Sequence, residues 1–257
     1  MARNIHPVIS EEEFSGIYRT EAANVLDGAF MSDGFIHLLY GIYRHLIDAS
    51  AHFNLTAITE PSAVVRLHLI DVLIPARMLS ERGGISEGTR LLDIGSGAGF
   101  PALPIAAASA AGVLPRITVT AIDSTAKKIG YIRNTASALG LDSVCAVTAR
   151  AEEAAHGELR ESFDIVTARA VSAMPVLIEL AAPFVVSGGI FAAMKGHSDG
   201  EVQDAARGAT VLGLSPAEMA EYRLPSGEGR SLVIYGKEHP TPQEYPRAYA
   251  KIISSPL

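Results

Sequence analysis

The chain contains no tryptophan and a single cysteine, Cys145. One thiol excludes an internal disulfide and a cysteine-rich metal site. No run reaches the roughly 18 apolar residues of a membrane span. The longest candidate, residues 100–113, is broken by Pro101 and Pro104. No basic-then-apolar leader opens the chain, and Glu11-Glu12-Glu13 stand near its start instead. Positive charge is also scarce, with 21 Lys and Arg against 28 Asp and Glu and a net charge of −7. That balance gives no support for a generic nucleic-acid binder, although a local basic face can act within an acidic whole. Together these absences predict a cytoplasmic protein. Cys145 sits among Val144, Ala146 and Val147 and is expected to be a packed core residue, not a nucleophile.

Apolar residues make up 48% of the 257, ample for a buried core. Residues 1–88 read as a helical cap. Phe35, Leu38, Leu39, Ile42, Leu46 and Ile47 recur at helical spacing after Asp33, the expected N-cap. A second helix is expected from Thr59-Glu60-Pro61, with proline in its first turn, running toward Leu79. From Arg90 strands and helices alternate, which predicts a parallel sheet covered on both faces. The expected strands are 90–95, 117–123, 143–149, 163–168 and 189–195. The expected helices are 101–111, 125–139, 173–185 and 199–212. Residues 217–224 and 231–237, joined by Pro225-Ser226-Gly227-Glu228-Gly229, read as a terminal hairpin. The division is thus 1–88 and 89–257.

The most specific signal is Leu91-Leu92-Asp93-Ile94-Gly95-Ser96-Gly97-Ala98-Gly99-Phe100. An apolar strand ends in Asp-x-Gly-x-Gly-x-Gly, and an apolar helix follows. Glycines let the backbone turn sharply and approach a ligand, and the next helix points free N–H groups at it. A dinucleotide fold typically shows G-x-G-x-x-G. The G-x-G-x-G spacing with Asp93 before it is instead similar to the first motif of class I S-adenosylmethionine (SAM) methyltransferases. The SAM amino-acid tail carries an ammonium that a nearby carboxylate welcomes. Asp123, closing the next strand, is placed to accept the ribose hydroxyls. Its plainer reading is a cap for the helix that follows.

An ordered set of further matches narrows the resemblance. Phe53-Asn54-Leu55-Thr56, His68 with Asp71, Asp123-Ser124 with Lys127-Lys128 and Arg150-Ala151-Glu152-Glu153 lead it. Phe163-Asp164-Ile165-Val166-Thr167-Ala168-Arg169-Ala170, Gly188-Gly189, Lys195-Gly196, Tyr245-Pro246-Arg247 and Pro256-Leu257 complete it. The chain resembles the glucose-inhibited division protein B (RsmG) family of 16S rRNA guanine-N7 methyltransferases. The resemblance implies an α/β fold of Rossmann-like class I type: a mostly parallel seven-stranded sheet, an antiparallel terminal hairpin and an N-terminal helical cap. It implies methyl transfer from SAM to N7 of a guanine in the 530 loop of 16S rRNA (rRNA position 527). The partner is then 16S rRNA, as the small subunit or an assembly intermediate, with no metal and a monomeric enzyme.

The resemblance further implies that Asp93, Gly95, Gly97, Gly99, Phe100, Asp123, Ala151, Glu152 and Arg169 serve the cofactor, with Arg169 and Lys195 at the reacting centre. Arg150, Lys195 and Arg247 are the expected RNA contacts. Glu152 also reads as a first-turn helix acid, and Arg169 as a structural partner of Asp164 or Glu152. His68 and Asp71, three apart, share a helix face and are expected to fix the cap against the sheet. Ala102, Val72, Leu67 and Ala248 depart from the family pattern. Guanine N7 bears a lone pair and no proton, so no general base is needed, unlike a hydroxyl substrate. Three alternatives remain at this level: a SAM methyltransferase with another substrate, an NAD(P)-dependent oxidoreductase, and a SAM-binding protein without activity.

Overall fold

Mostly short apolar runs, the first followed by Gly95 and the second ending in Asp123, form the strands of one sheet. A computed structural model describes residues 6–196 and 199–257. The first five residues of the expected cap lie outside these. Helices α1 (Glu11–Ala22), α2 (Asp33–His52), α3 (Pro61–Val64) and α4 (Asp71–Glu81) precede strand β1 (Arg90–Ile94). Then come α5 (Ala102–Ala110), β2 (Thr118–Asp123), α6 (Ala126–Ala138), β3 (Val144–Thr148), α7 (Ala151–Ala154) and β4 (Phe163–Arg169). The chain continues through α8 (Met174–Ala181), β5 (Val185–Lys195), α9 (Asp199–Val211), β6 (Glu218–Arg223), β7 (Gly229–Gly236) and α10 (Tyr249–Ser254).

The strand order is β3-β2-β1-β4-β5-β7-β6, parallel except where β7 runs against β5 and β6. The order reverses direction between β1 and β4. Sheets of this kind bind ligands in the crevice beyond the carboxyl ends of the strands at such a switch point. Successive side chains face opposite sides. Leu91 and Ile165 therefore join a core with the N-terminal helices and α5, while Leu92 and Val166 join a core beneath α8 and α9. Each such side chain contributes roughly 1.5–3 kcal/mol by leaving water.

In α2, Phe35, Leu39, Ile42 and Leu46 form the buried stripe. Asp33 opens α2 as its first helical residue, and Ser32 takes the cap position without a side-chain bond. Glu60 caps α3, its carboxylate accepting the amides of Ser62 and Ala63 at 3.0 and 2.6 Å. The single helix expected from Pro61 to Leu79 is interrupted: residues Val65–Ile70 form a π-helical turn between α3 and α4. The expected helix over 173–185 ends at Ala181, because Pro183 carries no amide proton and a 3-10 turn intervenes. Strand β5 accordingly begins four residues before Gly189.

Cys145 corrects the expectation of a core thiol: it is exposed. Strand β3 lies at the sheet edge, where one flank has no neighbouring strand and its side chains are only partly covered.

Candidate active site

The loop after β1 is held from three sides. The amide of Ser96 donates to Ile122 O at 3.0 Å, and its hydroxyl donates back to Asp93 O at 2.9 Å. The amide of Gly97 donates to Asp123 Oδ2 at 3.1 Å, while Asp123 Oδ1 accepts the amide of Thr125 at 2.8 Å. Asp123 therefore braces both the glycine loop and the turn that leads into α6, whose cap position is taken by Thr125, and its Oδ2 also faces Lys128 Nζ at 3.6 Å. Gly95 has φ +66°, and a Cβ there would stand 2.8 Å from Val171 Cγ2. Only glycine gives this backbone both its left-handed turn and its close approach.

Asp93 lies beneath the loop, fully buried. Thr167 donates to its Oδ1 at 3.4 Å, and its Oδ2 has no partner. Burial pushes this carboxyl up to about 7, against the weaker pull of Ser96, the Ala102 backbone, Arg169 and Thr167. A buried acceptor without a donor costs about 1–3 kcal/mol, and an ammonium would satisfy it.

Beyond the strand ends lies a cavity of about 310 Å³. Gly95, Asp123, Lys128, Arg150, Ala151, Glu152 and Val171 contribute to its walls. The Arg150 guanidinium stands 3.8 Å from Glu152, in the first turn of α7. An acid at the ribose position, an orphaned buried carboxylate oxygen and a glycine cradle that a Cβ would fill suit the nucleoside and ammonium of SAM.

Next to it is a cleft of about 560 Å³ walled by the cap, β4, β5 and the hairpin. Consecutive residues join the two: Ala170 lines the cleft and Val171 lines the cofactor cavity. Ala170 takes φ +55°, a conformation a Cβ makes costly and one found where function demands it.

Asp71 organises the cleft. Its Oδ2 accepts Arg169 at 3.2 Å, and its Oδ1 accepts both Arg230 Nε at 3.2 Å and the Tyr222 hydroxyl at 3.1 Å. Burial and the Asp71 charge push the Tyr222 hydroxyl well above its ordinary value, so it stays a donor. The cap backbone adds acceptors because its helix is irregular. The Asp71 amide bonds Arg66 O, not Leu67 O, and Leu67 O accepts Arg169 at 2.7 Å. Pro75 has no amide for Asp71 O, and that carbonyl accepts the Tyr222 hydroxyl at 3.1 Å.

His68 stacks on Phe100 with centroids 4.7 Å apart, and Arg169 lies over the same ring at 5.7 Å. Arg169 donates to His68 Nδ1 at 3.1 Å, which assigns the ring proton to Nε2, and Nε2 donates to Thr56 Oγ1 at 3.0 Å. Burial, then the Arg169 charge, pushes His68 down to about 3, so the imidazole is neutral.

Arg169 and Lys195 both line the cleft. Lys195 Nζ donates to Ser172 O at 2.9 Å and pairs with Glu201 at 2.6 Å. Arg169 does not pair with Asp164, which is taken by Arg90, or with Glu152, which faces Arg150. Gly95, Asp123, Ala151 and Glu152 meet at the cofactor cavity with Asp93 below. Gly97 and Gly99 shape the loop, and Phe100 faces His68. Arg247, the third expected RNA contact, is engaged within the protein. Its guanidinium and amide bind Glu179, buried in α8, at 2.6 to 2.8 Å. Glu179 was a legible signal: a lone acid in an apolar helix requires a cation. Tyr222 and Arg230 join the cleft from the hairpin and carry no local motif.

Parallel strands with an antiparallel terminal hairpin, an acid-tipped glycine loop after β1 and an acid closing β2 define a SAM-dependent class I methyltransferase. The cofactor-bound Rv0187 from MTB shares the fold, at TM-score 0.52 and 17% identity over 81% of this chain and 92% of that one. Residues 36–228 match the GidB family, described as rRNA small subunit methyltransferase G. The chain is 39% identical over 208 residues to the ribosomal RNA small subunit methyltransferase G of Lactobacillus acidophilus, covering 80% of this chain and 84% of the relative. The Deinococcus radiodurans relative of the same name is 41% identical over 208 residues, covering 79% and 78%. The chain belongs to the GidB family of SAM-dependent methyltransferases, and the dinucleotide-oxidoreductase alternative falls away.

Proposed function

We propose that this enzyme transfers a methyl group from SAM to N7 of a guanine in the 530 loop of 16S rRNA, at rRNA position 527. The observation that supports the reading is the pairing of a cofactor cavity with a cleft in which Arg169, Lys195 and Arg230 gather. Bound SAM supplies an electrophilic methyl on a sulfonium. The protein holds the acceptor in line and at near-attack distance. Both nitrogens of His68 are engaged, and Asp71 is held by two arginines and a tyrosine. The remaining carboxylate of the cleft, Glu201, is held by Lys195 and the Met174 amide, and guanine N7 needs no proton acceptor.

Arg169, Lys195 and Arg230 outnumber Asp71 and Glu201 in the cleft. Arginine donors suit guanine O6, and an exposed Arg150 suits a phosphate. This local excess of cations lets an acidic chain receive RNA. Arg169 anchors the cleft: it bonds the cap at Leu67 O, lies over Phe100 and reaches Asp71. Residues 1–88 act as the cap over a catalytic unit of residues 89–257. The enzyme works in the cytoplasm as a monomer without a metal ion, on the small subunit or a precursor of it. Among the described residues no helix is long and apolar enough to cross a membrane.

The test is methyl transfer from labelled SAM to small subunits from a strain lacking the modification, followed by strand cleavage at N7-methylguanine. One new cut in the 530 loop supports the reading. Label elsewhere discards the target, and SAM binding without transfer discards the activity.

A further inference from the structure

We propose that Tyr249 is a cofactor-binding residue, its ring laid by α10 against the adenine end of the SAM cavity. Tyr249 and Leu180 line that cavity together with Ala151 and Glu152. The inference rests on reading Ala151 and Glu152 as the adenine edge.

A six-residue helix has little stability of its own, so its anchors decide where it sits. Arg247, just before α10, binds buried Glu179 through two guanidinium nitrogens and its amide. Ile252, within α10, is fully buried beside Val176, Leu180 and Ala151. Tyr249 lies between these two anchors and yet remains 42% exposed. An aromatic ring held at a cavity rim by two buried contacts is ordered before any ligand arrives. A purine face stacked on it would then cost little further ordering. Tyr249 thus shares the cavity wall with Asp123, the residue read as the ribose acceptor.

The absence of tryptophan gives a direct probe: Tyr249→Trp creates the sole indole of the protein. We expect saturable quenching of that indole by SAM, by S-adenosylhomocysteine and by 5′-methylthioadenosine, without RNA present. Calorimetry on Tyr249→Ala should show dissociation constants for all three raised about tenfold, which is about 1.4 kcal/mol. The KM for SAM should rise in parallel, with kcat and the KM for RNA unchanged. Tyr249→Phe should bind like the parent, and the melting temperature of both variants should match it. A loss seen with SAM but absent with 5′-methylthioadenosine would move the ring to the amino-acid tail and overturn the proposal. An unchanged SAM constant with a raised KM for RNA would assign the ring to substrate and overturn it equally. Glu152→Ala separates the underlying reading: if it leaves all three constants unchanged while Tyr249→Ala weakens them, the ring contact stands and the adenine-edge role of Glu152 fails.

Discussion

Replacing Asp93 by asparagine should make the ligand-free protein more stable as pH rises, while weakening SAM binding. Asp93 is fully buried with Oδ2 unpartnered, and burial lifts its carboxyl from 3.8 to about 7. A raised acid means the folded state holds its proton longer than the unfolded chain. The charge therefore costs stability above the unfolded value, and that cost is complete once pH passes about 7. A shift of this size corresponds to roughly 4 kcal/mol at 1.36 kcal/mol per unit. Between pH 5 and pH 8 the cost grows by about 2.5 kcal/mol on the same conversion. Asparagine escapes that growth. Its buried amide adds a penalty of about 1–3 kcal/mol of its own, but one independent of pH. Urea unfolding of parent and Asp93→Asn, without ligand, should thus show a stability difference that moves in favour of the variant across pH 5 to 8. With SAM the ranking turns over, since the ammonium loses a charged acceptor worth about 1.5–3 kcal/mol, or roughly 10- to 100-fold in affinity. A stability difference that stays flat from pH 5 to 8 would refute the assignment of the shift to a buried, unpaired carboxylate.

Arg169→Ala should reduce transfer at least 100-fold with a folded protein, and Arg169→Lys should recover little, because three separate acceptors need the guanidinium fork; single-turnover rates check this. Gly97→Asp should abolish SAM binding in calorimetry, since φ +55° and the amide bond to Asp123 both oppose it; binding at parental strength would remove the loop from the cofactor site. Tyr222→Phe strips two acceptors of Asp71 of their donor and should raise the KM for RNA several-fold while leaving SAM affinity intact. Burial lowers the Lys237 ammonium from 10.5 to about 8, so the unfolded chain binds the extra proton between those values. Stability of the parent relative to Lys237→Met should accordingly rise from pH 8 to 10.5, as thermal unfolding across that range will show.

The cofactor side was legible because its signals are local. Asp93, the alternating glycines and Asp123 lie at strand ends, where an acid or a missing Cβ has few structural explanations. The sheet was legible for the same reason, in short apolar runs that alternate with helical segments. The cleft was not. Asp71 meets Arg169 98 residues away and Tyr222 151 residues away, and no periodicity encodes such a meeting. Arg247 looked like a free cation in a basic tail until Glu179, inside an apolar helix, was seen to need it. Pro75 was visible as a helix breaker, but what its missing amide releases becomes clear only beside Tyr222.

The broken cap helix carries a warning for anyone improving this enzyme. An engineer would replace Pro75 with alanine and regularise Val65–Ile70, gaining propensity at each position. A regular helix would draw Asp71 O and Leu67 O back into its own ladder, away from Tyr222 and Arg169. The more robust protein would then present a slacker cleft, and selection for heat resistance alone would drift toward it. Irregularity here is retained function, held in place against the preferences of the backbone.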